Sequence, residues 1–147
     1  MGLKNTRILL VEDNPDDIEL TLRAFKKNSL TNEIIVARDG KEALEEILFQ
    51  NQKESTVQQR FGLILLDLKL PKVDGLEVLR QVKNNPETKV IPVVILTSSK
   101  EENDLIKSYR LGVNSYIRKP VEFEKFIEVI KQLGLYWLLI NESPLKK

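Results

Sequence analysis

The chain has 147 residues, enough for one domain with a real core, and its 41% hydrophobic and 31% charged residues are those of a soluble globular protein. Lys plus Arg (23) and Asp plus Glu (22) nearly cancel to a net charge of +1, which argues against a dedicated nucleic-acid partner. With no cysteine and no histidine, disulfides, thiolate nucleophiles, Ser-His chemistry and His- or Cys-based metal sites are excluded, and any phosphohistidine must sit on another molecule.

In chain order, Ile8–Val11 reads as a first strand. Asn14-Pro15 then reads as a helix N-cap followed by Pro at the first helical position, and Ile18, Leu22 and Phe25 mark one face of that helix. Ile34–Ala37 is a second strand, and after Asp39-Gly40 the residues Ala43, Leu44, Ile47 and Leu48 mark a second helix. Asn51–Arg60 is polar, lacks periodicity and reads as a solvated loop. Leu63–Asp67 is a third strand, followed after Asp74-Gly75 by a helix marked by Leu76, Leu79 and Val82. Val93–Thr97 is a fourth strand. Ser99 with Glu102 has the spacing of a capping box opening a fourth helix, which Gly112 closes after Leu111. Ser115–Lys119 is the fifth strand, and Phe123, Phe126, Ile127, Ile130 and Leu133 form the face of a fifth helix. The first four strands are nearly continuous apolar runs, the pattern of strands buried on both faces of a parallel sheet, whereas the fifth is mixed and suits an edge. Strands alternating with helices imply right-handed βαβ crossovers and an α/β fold. No repeat, linker or second domain is visible. No apolar run reaches the ~20 residues of a membrane span and no signal peptide opens the chain, so a cytoplasmic protein without a membrane partner is expected.

In an open parallel sheet, ligands bind beyond the carboxyl ends of the strands. Here those ends carry Glu12-Asp13, Asp67, Thr97 and Lys119. If the first and third strands are neighbours, Glu12, Asp13 and Asp67 share one small pocket. Carboxylates so crowded repel, and one protonates unless a cation intervenes. A hard divalent ion solves this, and Mg²⁺ is the natural choice because it leaves coordination positions for phosphate oxygens. Lys119 adds a positive charge opposite, and Thr97 a hydroxyl. The set fits a binding site for a PO₃ group beside a carboxylate nucleophile. Any one of these polar ends could simply mark the chain leaving the core, but that reading strains when all of them carry complementary chemistry.

These residues also carry a resemblance. Ile8-Leu9-Leu10-Val11-Glu12-Asp13-Asn14 resembles the opening of a bacterial response-regulator receiver domain, and Leu65-Leu66-Asp67-Leu68-Lys69-Leu70-Pro71 with Asp74-Gly75 resembles its phosphoacceptor strand and loop. Val94-Ile95-Leu96-Thr97-Ser98 and Ile117-Arg118-Lys119-Pro120 resemble the remaining two signatures, in family order from about Arg7 to Leu133. Val113-Asn114-Ser115-Tyr116 and Tyr136-Trp137 further resemble the small stand-alone response regulators of cyanobacterial-type phytochrome systems. The resemblance implies a single domain over 1–147 and a doubly wound five-stranded parallel sheet of flavodoxin-like order 2-1-3-4-5, with helices on both faces. It implies that Asp67 is the phosphoacceptor, attacking a phosphohistidine of a partner histidine kinase, here a phytochrome. Mg²⁺ would be ligated by Asp13, Asp67 and the backbone carbonyl of Lys69, with Glu12 acting through water. Lys119 would pair with Asp67 at rest and with a phosphoryl oxygen afterwards, and Lys119-Pro120 would be a cis peptide. Thr97 and Tyr116 would form the switch that reshapes the face of the fourth helix, fifth strand and fifth helix for a downstream protein. The bland alternative makes Tyr116 a half-buried edge-strand aromatic. Two positions set this chain apart: Ser98 stands where many receivers have Ala, and Lys69 lies where an attacking water approaches.

After the fifth helix, residues 134–147 begin Gly134-Leu135-Tyr136-Trp137-Leu138-Leu139-Ile140. Apolar residues all round an exposed end usually mark an interface, and Tyr and Trp are favoured there. A homodimer through the fifth helix and Leu135, Tyr136, Trp137 and Leu138 is therefore expected, against a tail folded back onto its own core. Three competing functions fit less well. A haloacid-type phosphatase wants a second Asp where Lys69 stands. A flavin or nucleotide module wants a glycine-rich loop where Glu12-Asp13 stands. The complete site argues against a receiver-like module that only binds proteins, so the chain is read as a phosphoacceptor and not as an enzyme in its own right.

Overall fold

The computed structural model describes residues 7–50, 61–119, 122–134 and 136, with backbone alone at 49 and 50. The expected loop Asn51–Arg60, Pro120 and the cis peptide expected there, and tail residues Leu135, Trp137 and Leu138 lie outside the described residues. Strands and helices alternate along the chain: β1 (Arg7–Val11), α1 (Pro15–Lys27), β2 (Ile34–Ala37), α2 (Gly40–Gln50), β3 (Phe61–Leu66), α3 (Gly75–Asn84), β4 (Val93–Thr97), α4 (Glu102–Arg110), β5 (Ser115–Arg118) and α5 (Phe123–Leu133). All strand pairs are parallel and the sheet order is β2-β1-β3-β4-β5, as the resemblance implies. α1 packs beside α5 on one face, while α2, α3 and α4 follow one another across the other.

β3 and β4 are buried along their whole length, and β1 from Ile8 onward. Burying a Leu, Ile or Val side chain contributes about 1.5–3 kcal/mol, so these three strands hold most of the core. The second strand corrects the sequence reading. Its run Ile34-Ile35-Val36 is as apolar as the others but only half-buried, because β2 is a sheet edge and helices cover it incompletely. Helix faces shift in the same way. Ile18, Thr21, Ala24 and Phe25 form the buried stripe of α1, whereas Leu22 is exposed, and in α2 Leu48 turns to solvent while Ala43 and Ile47 are buried.

Local chemistry sets the element ends. The Asn14 side chain accepts hydrogen bonds from the Asp16 and Asp17 amides at 2.9 and 3.2 Å, so α1 starts where the Asn-Pro pair predicts. Gly112 has φ +99° directly after Leu111, the left-handed residue that closes α4. Ser99 is not the cap of α4: the helix starts at Glu102, and the flanking Glu101 supplies no side-chain cap. Gly75 opens α3 against the segment that follows β3. A Cβ there would lie 2.3 Å from the Asp67 carbonyl oxygen and 2.5 Å from the Leu68 Cα, while the Gly75 amide donates to the Leu68 carbonyl at 3.0 Å.

Gly75→Ala is expected to destabilise the fold by about 1–2 kcal/mol in urea unfolding, because a methyl against fixed backbone costs more than alanine's helix propensity returns. An unchanged midpoint would mean that the loop carrying Asp67 yields freely.

Candidate functional site

The sheet reverses its winding direction between β1 and β3, and the ladder continues one residue beyond the strands there. The Glu12 amide donates to the Ala37 carbonyl at 3.0 Å and the Asp67 amide to the Val11 carbonyl at 3.0 Å, while the Lys119 amide reaches the Thr97 carbonyl at 2.7 Å. Each of these residues thus has its backbone held by a neighbouring strand while its side chain enters the crevice. Glu12, Asp13 and Asp67 bring carboxylate oxygens within 4.8 Å of one another, and Glu12 and Asp67 are buried while Asp13 is exposed. Asp13 and Lys69 line one cleft of about 440 Å³ together with Pro71, Asp74 and Asp104. An all-oxygen donor set with one exposed side fits a hard divalent cation that keeps part of its water.

Lys119 closes the other side, and here the structure refines the expected pairing. Its ammonium donates to Glu12 Oε1 at 2.7 Å and to Asp17 Oδ2 at 2.8 Å, but lies 3.7 Å from Asp67 Oδ2, beyond a hydrogen bond. Asp17 escaped the sequence reading. It sits in the first turn of α1, where an acidic residue is explained by the helix dipole alone. Burial pulls the Lys119 pKa down, but the hydrogen bonds to Asp17 and Glu12 outweigh it, and the net shift is upward. Burial pushes Glu12 up to about 7, against the lowering pull of Lys119 and with the neighbouring Asp67 charge adding to the rise. Asp67 Oδ1 accepts the Lys69 amide at 3.2 Å, leaving the rest of its carboxylate towards the cleft.

Thr97 is fully buried at the end of β4, and its hydroxyl accepts the Ser99 amide at 3.3 Å. Ser99 Oγ accepts the Glu101 amide at 3.3 Å and donates to Asp104 Oδ2 at 2.5 Å, so the serine read as a cap ties the loop to a buried carboxylate instead. Lys69 Nζ lies 3.6 Å from the same Asp104 oxygen and 3.8 Å from Glu101. Tyr116 is half-buried on the edge strand β5, with its hydroxyl turned inward, buried and without a well-formed hydrogen bond. Burial raises its pKa. The structure thus brings Glu12, Asp13 and Asp67 together, with Lys119 hydrogen-bonded to Glu12, Lys69 following Asp67 along the cleft, and Thr97 buried at the end of β4 beside the Lys119 backbone.

The response regulator receiver domain family matches residues 8–131 of the chain. The chain belongs to this family. The receiver is 43% identical over 131 residues to the response regulator Rcp1 of Synechocystis sp., which covers 89% of this chain and 88% of that protein. It aligns with the crystal structure of the phosphorylated cyanobacterial phytochrome response regulator RcpA at a TM-score of 0.83 and 40% identity, covering 95% of this chain and 98% of that one. The Mn(2+)-bound form of Rcp1 aligns at 0.81 and 40% identity over 95% of this chain and 99% of that one. The bacteriophytochrome response regulator AtBRR aligns at 0.69 and 53% identity, covering 93% and 98%. The receiver is therefore a two-component response regulator, and the expected doubly wound fold is the observed one. No helix among the described residues is long and apolar enough to cross a membrane.

The raised Glu12 pKa has a readable sign. An ordinary Glu, near 4.5, has lost its proton where the folded receiver still holds it, so this group favours folding at low pH and that contribution fades as pH rises from 4.5 through about 7. A dication competes with the same proton. Mn²⁺ or Mg²⁺ affinity, measured by calorimetry, is expected to weaken as pH falls below neutral, by up to about tenfold per unit, and Glu12→Gln should flatten the dependence.

Proposed function

We propose that this receiver carries a phosphoryl group on Asp67, taken from the phosphohistidine of a partner histidine kinase with Mg²⁺ bound beside it. What supports this reading is the buried Asp67 carboxylate standing next to Glu12 and Asp13 on one side and the Lys119 ammonium on the other. An Asp67 oxygen forms the new O–P bond as the partner's P–N bond breaks, its electron pair staying with the imidazole. Asp13, Asp67 and the Lys69 carbonyl would hold Mg²⁺ directly and Glu12 through water, and the ion so held would supply positive charge against that building on the transferring group. Lys119 takes over a phosphoryl oxygen once it leaves its resting partners. The Thr97 hydroxyl gives up the Ser99 amide and donates to another oxygen. Movement of Thr97 alters the space in front of Tyr116, which passes the event to the α4–β5–α5 face and to a downstream protein. The likeness of this receiver to a cyanobacterial phytochrome response regulator and to a bacteriophytochrome response regulator supports a phytochrome as the kinase and a cytoplasmic setting.

Intact-mass analysis after incubation with acetyl phosphate and Mg²⁺ tests the chemistry. The wild type should gain one phosphoryl mass (about 80 Da for a single PO₃H), only with Mg²⁺ present, and Asp67→Asn should gain none. A wild type that stays unmodified would make the receiver a protein-interaction module independent of phosphorylation.

We also infer a homodimer through α5 and the tail. Ile106 and Tyr109 of α4, the helix that leads into the open edge strand β5, and Tyr136 beyond α5 are exposed large side chains. Tyr136 further lines a groove of about 390 Å³ with Ile117, Val129 and Leu133. A tyrosine beside a largely apolar groove fits a two-fold interface. Tyr136→Ser should weaken dimerisation roughly tenfold or more in sedimentation equilibrium. A wild type that stays monomeric at high concentration would assign this face to a different protein.

A further inference from the structure

The resting position of Lys119 is set by a residue outside the phosphoryl and metal site. Its ammonium makes hydrogen bonds of 2.7 Å to Glu12 and 2.8 Å to Asp17, whereas Asp67 is 3.7 Å away. Glu12 is one of the three carboxylates grouped closely enough to hold a cation, and Asp17 is not. Asp17 is itself held in place: its amide donates to the Asn14 side chain at 3.2 Å and its carbonyl accepts the Thr21 hydroxyl at 2.8 Å, both fixing the first turn of α1. Beside the pair lies a cavity of about 310 Å³ walled by Leu20, Leu96 and Phe126, so packing does not lock the lysine where it stands. Charge-assisted hydrogen bonds do.

We propose that Asp17 is a positioning residue that parks the Lys119 ammonium away from Asp67, so that every incoming phosphoryl group must win Lys119 from Asp17. The inference rests on Asp67 as phosphoacceptor. It adds no bond to that transfer: the lysine keeps its proton and only exchanges one anionic partner for another. A lysine held there makes no hydrogen bond to Asp67 Oδ2, 3.7 Å away, and leaves that oxygen without a direct donor. It also charges the phosphorylated state for breaking a hydrogen bond to a partly exposed carboxylate, which corresponds to a factor of roughly three to ten.

The test is affinity for beryllofluoride, a non-covalent phosphoryl mimic, at saturating Mg²⁺, read by amide NMR for the wild type, Asp17→Asn, Asp17→Glu and Asp16→Asn. Asp16→Asn removes the same charge from the same turn without touching Lys119. Asp17→Asn should bind the mimic roughly three- to tenfold more tightly than both the wild type and Asp16→Asn, with Asp17→Glu returning towards wild type. Equal affinity of Asp17→Asn and Asp16→Asn, or weaker binding by Asp17→Asn, would overturn the assignment. The Lys119 ammonium signal in the same samples separates the two ideas. If the wild type binds no mimic, the phosphoacceptor reading fails, while a Lys119 signal unmoved by Asp17→Asn would by itself sink the parking role.

Discussion

Two buried carboxylates, Glu12 and Asp67, meet where β1 and β3 run side by side, and hydrogen bonds of the sheet fix their backbones there. Neither can retreat without breaking the ladder. Their mutual repulsion, in a place that water reaches poorly, is a standing cost that opposite charge must relieve. In the structure the relief comes from Lys119, which enters from the end of β5 on the far side of β4. Strands far apart in sequence thus end together, and the loop after β3 presses close enough to α3 that only glycine fits at position 75.

That arrangement makes the resting site a balance between charges. Lys119 is shared among three carboxylates at distances of 2.7, 2.8 and 3.7 Å, so small changes at any of them redistribute it. A cation near Asp13 or an anion on Asp67 alters what Lys119 gains from each partner, without needing a large rearrangement of the backbone. On the opposite side, Ser99, Asp104 and Lys69 form a second linked set that anchors the start of α4. Thr97 stands between the two, its hydroxyl engaged with the Ser99 amide. The polar contacts of the site and those of the α4 end thus share one loop.

Much of this was legible in the sequence because it depends on local rules. Asn14-Pro15 fixed the start of α1 through contacts two and three residues away, and Gly112 marked the end of α4 through its own backbone. The strand ends showed themselves because apolar runs stop abruptly at Glu12, Asp67 and Thr97. What stayed hidden depends on tertiary placement. Asp17 meets Lys119 across 102 residues, and nothing near it in sequence distinguishes it from Asp16. The apolar run Ile34–Ala37 has the pattern of a central strand, and only the sheet order, which the family resemblance implied and the pattern itself did not, makes it an edge. Ser99 and Glu102 have capping spacing, but Asp104, buried where a solvated residue is the default, captures the serine instead.

The edges of the sheet carry one more consequence. β1, β3 and β4 are paired on both sides and buried, whereas β2 and β5 each lean on a single neighbour. Partial opening of such a sheet begins at the outer strands, where fewest contacts have to be surrendered, and reaches the centre last. Glu12 and Asp67 are rooted in the portion that persists through these fluctuations, while Tyr116 rides on the portion that yields first. One small domain therefore grades its own stiffness from middle to margin, with firm ground beneath the carboxylates and a compliant border beneath the tyrosine.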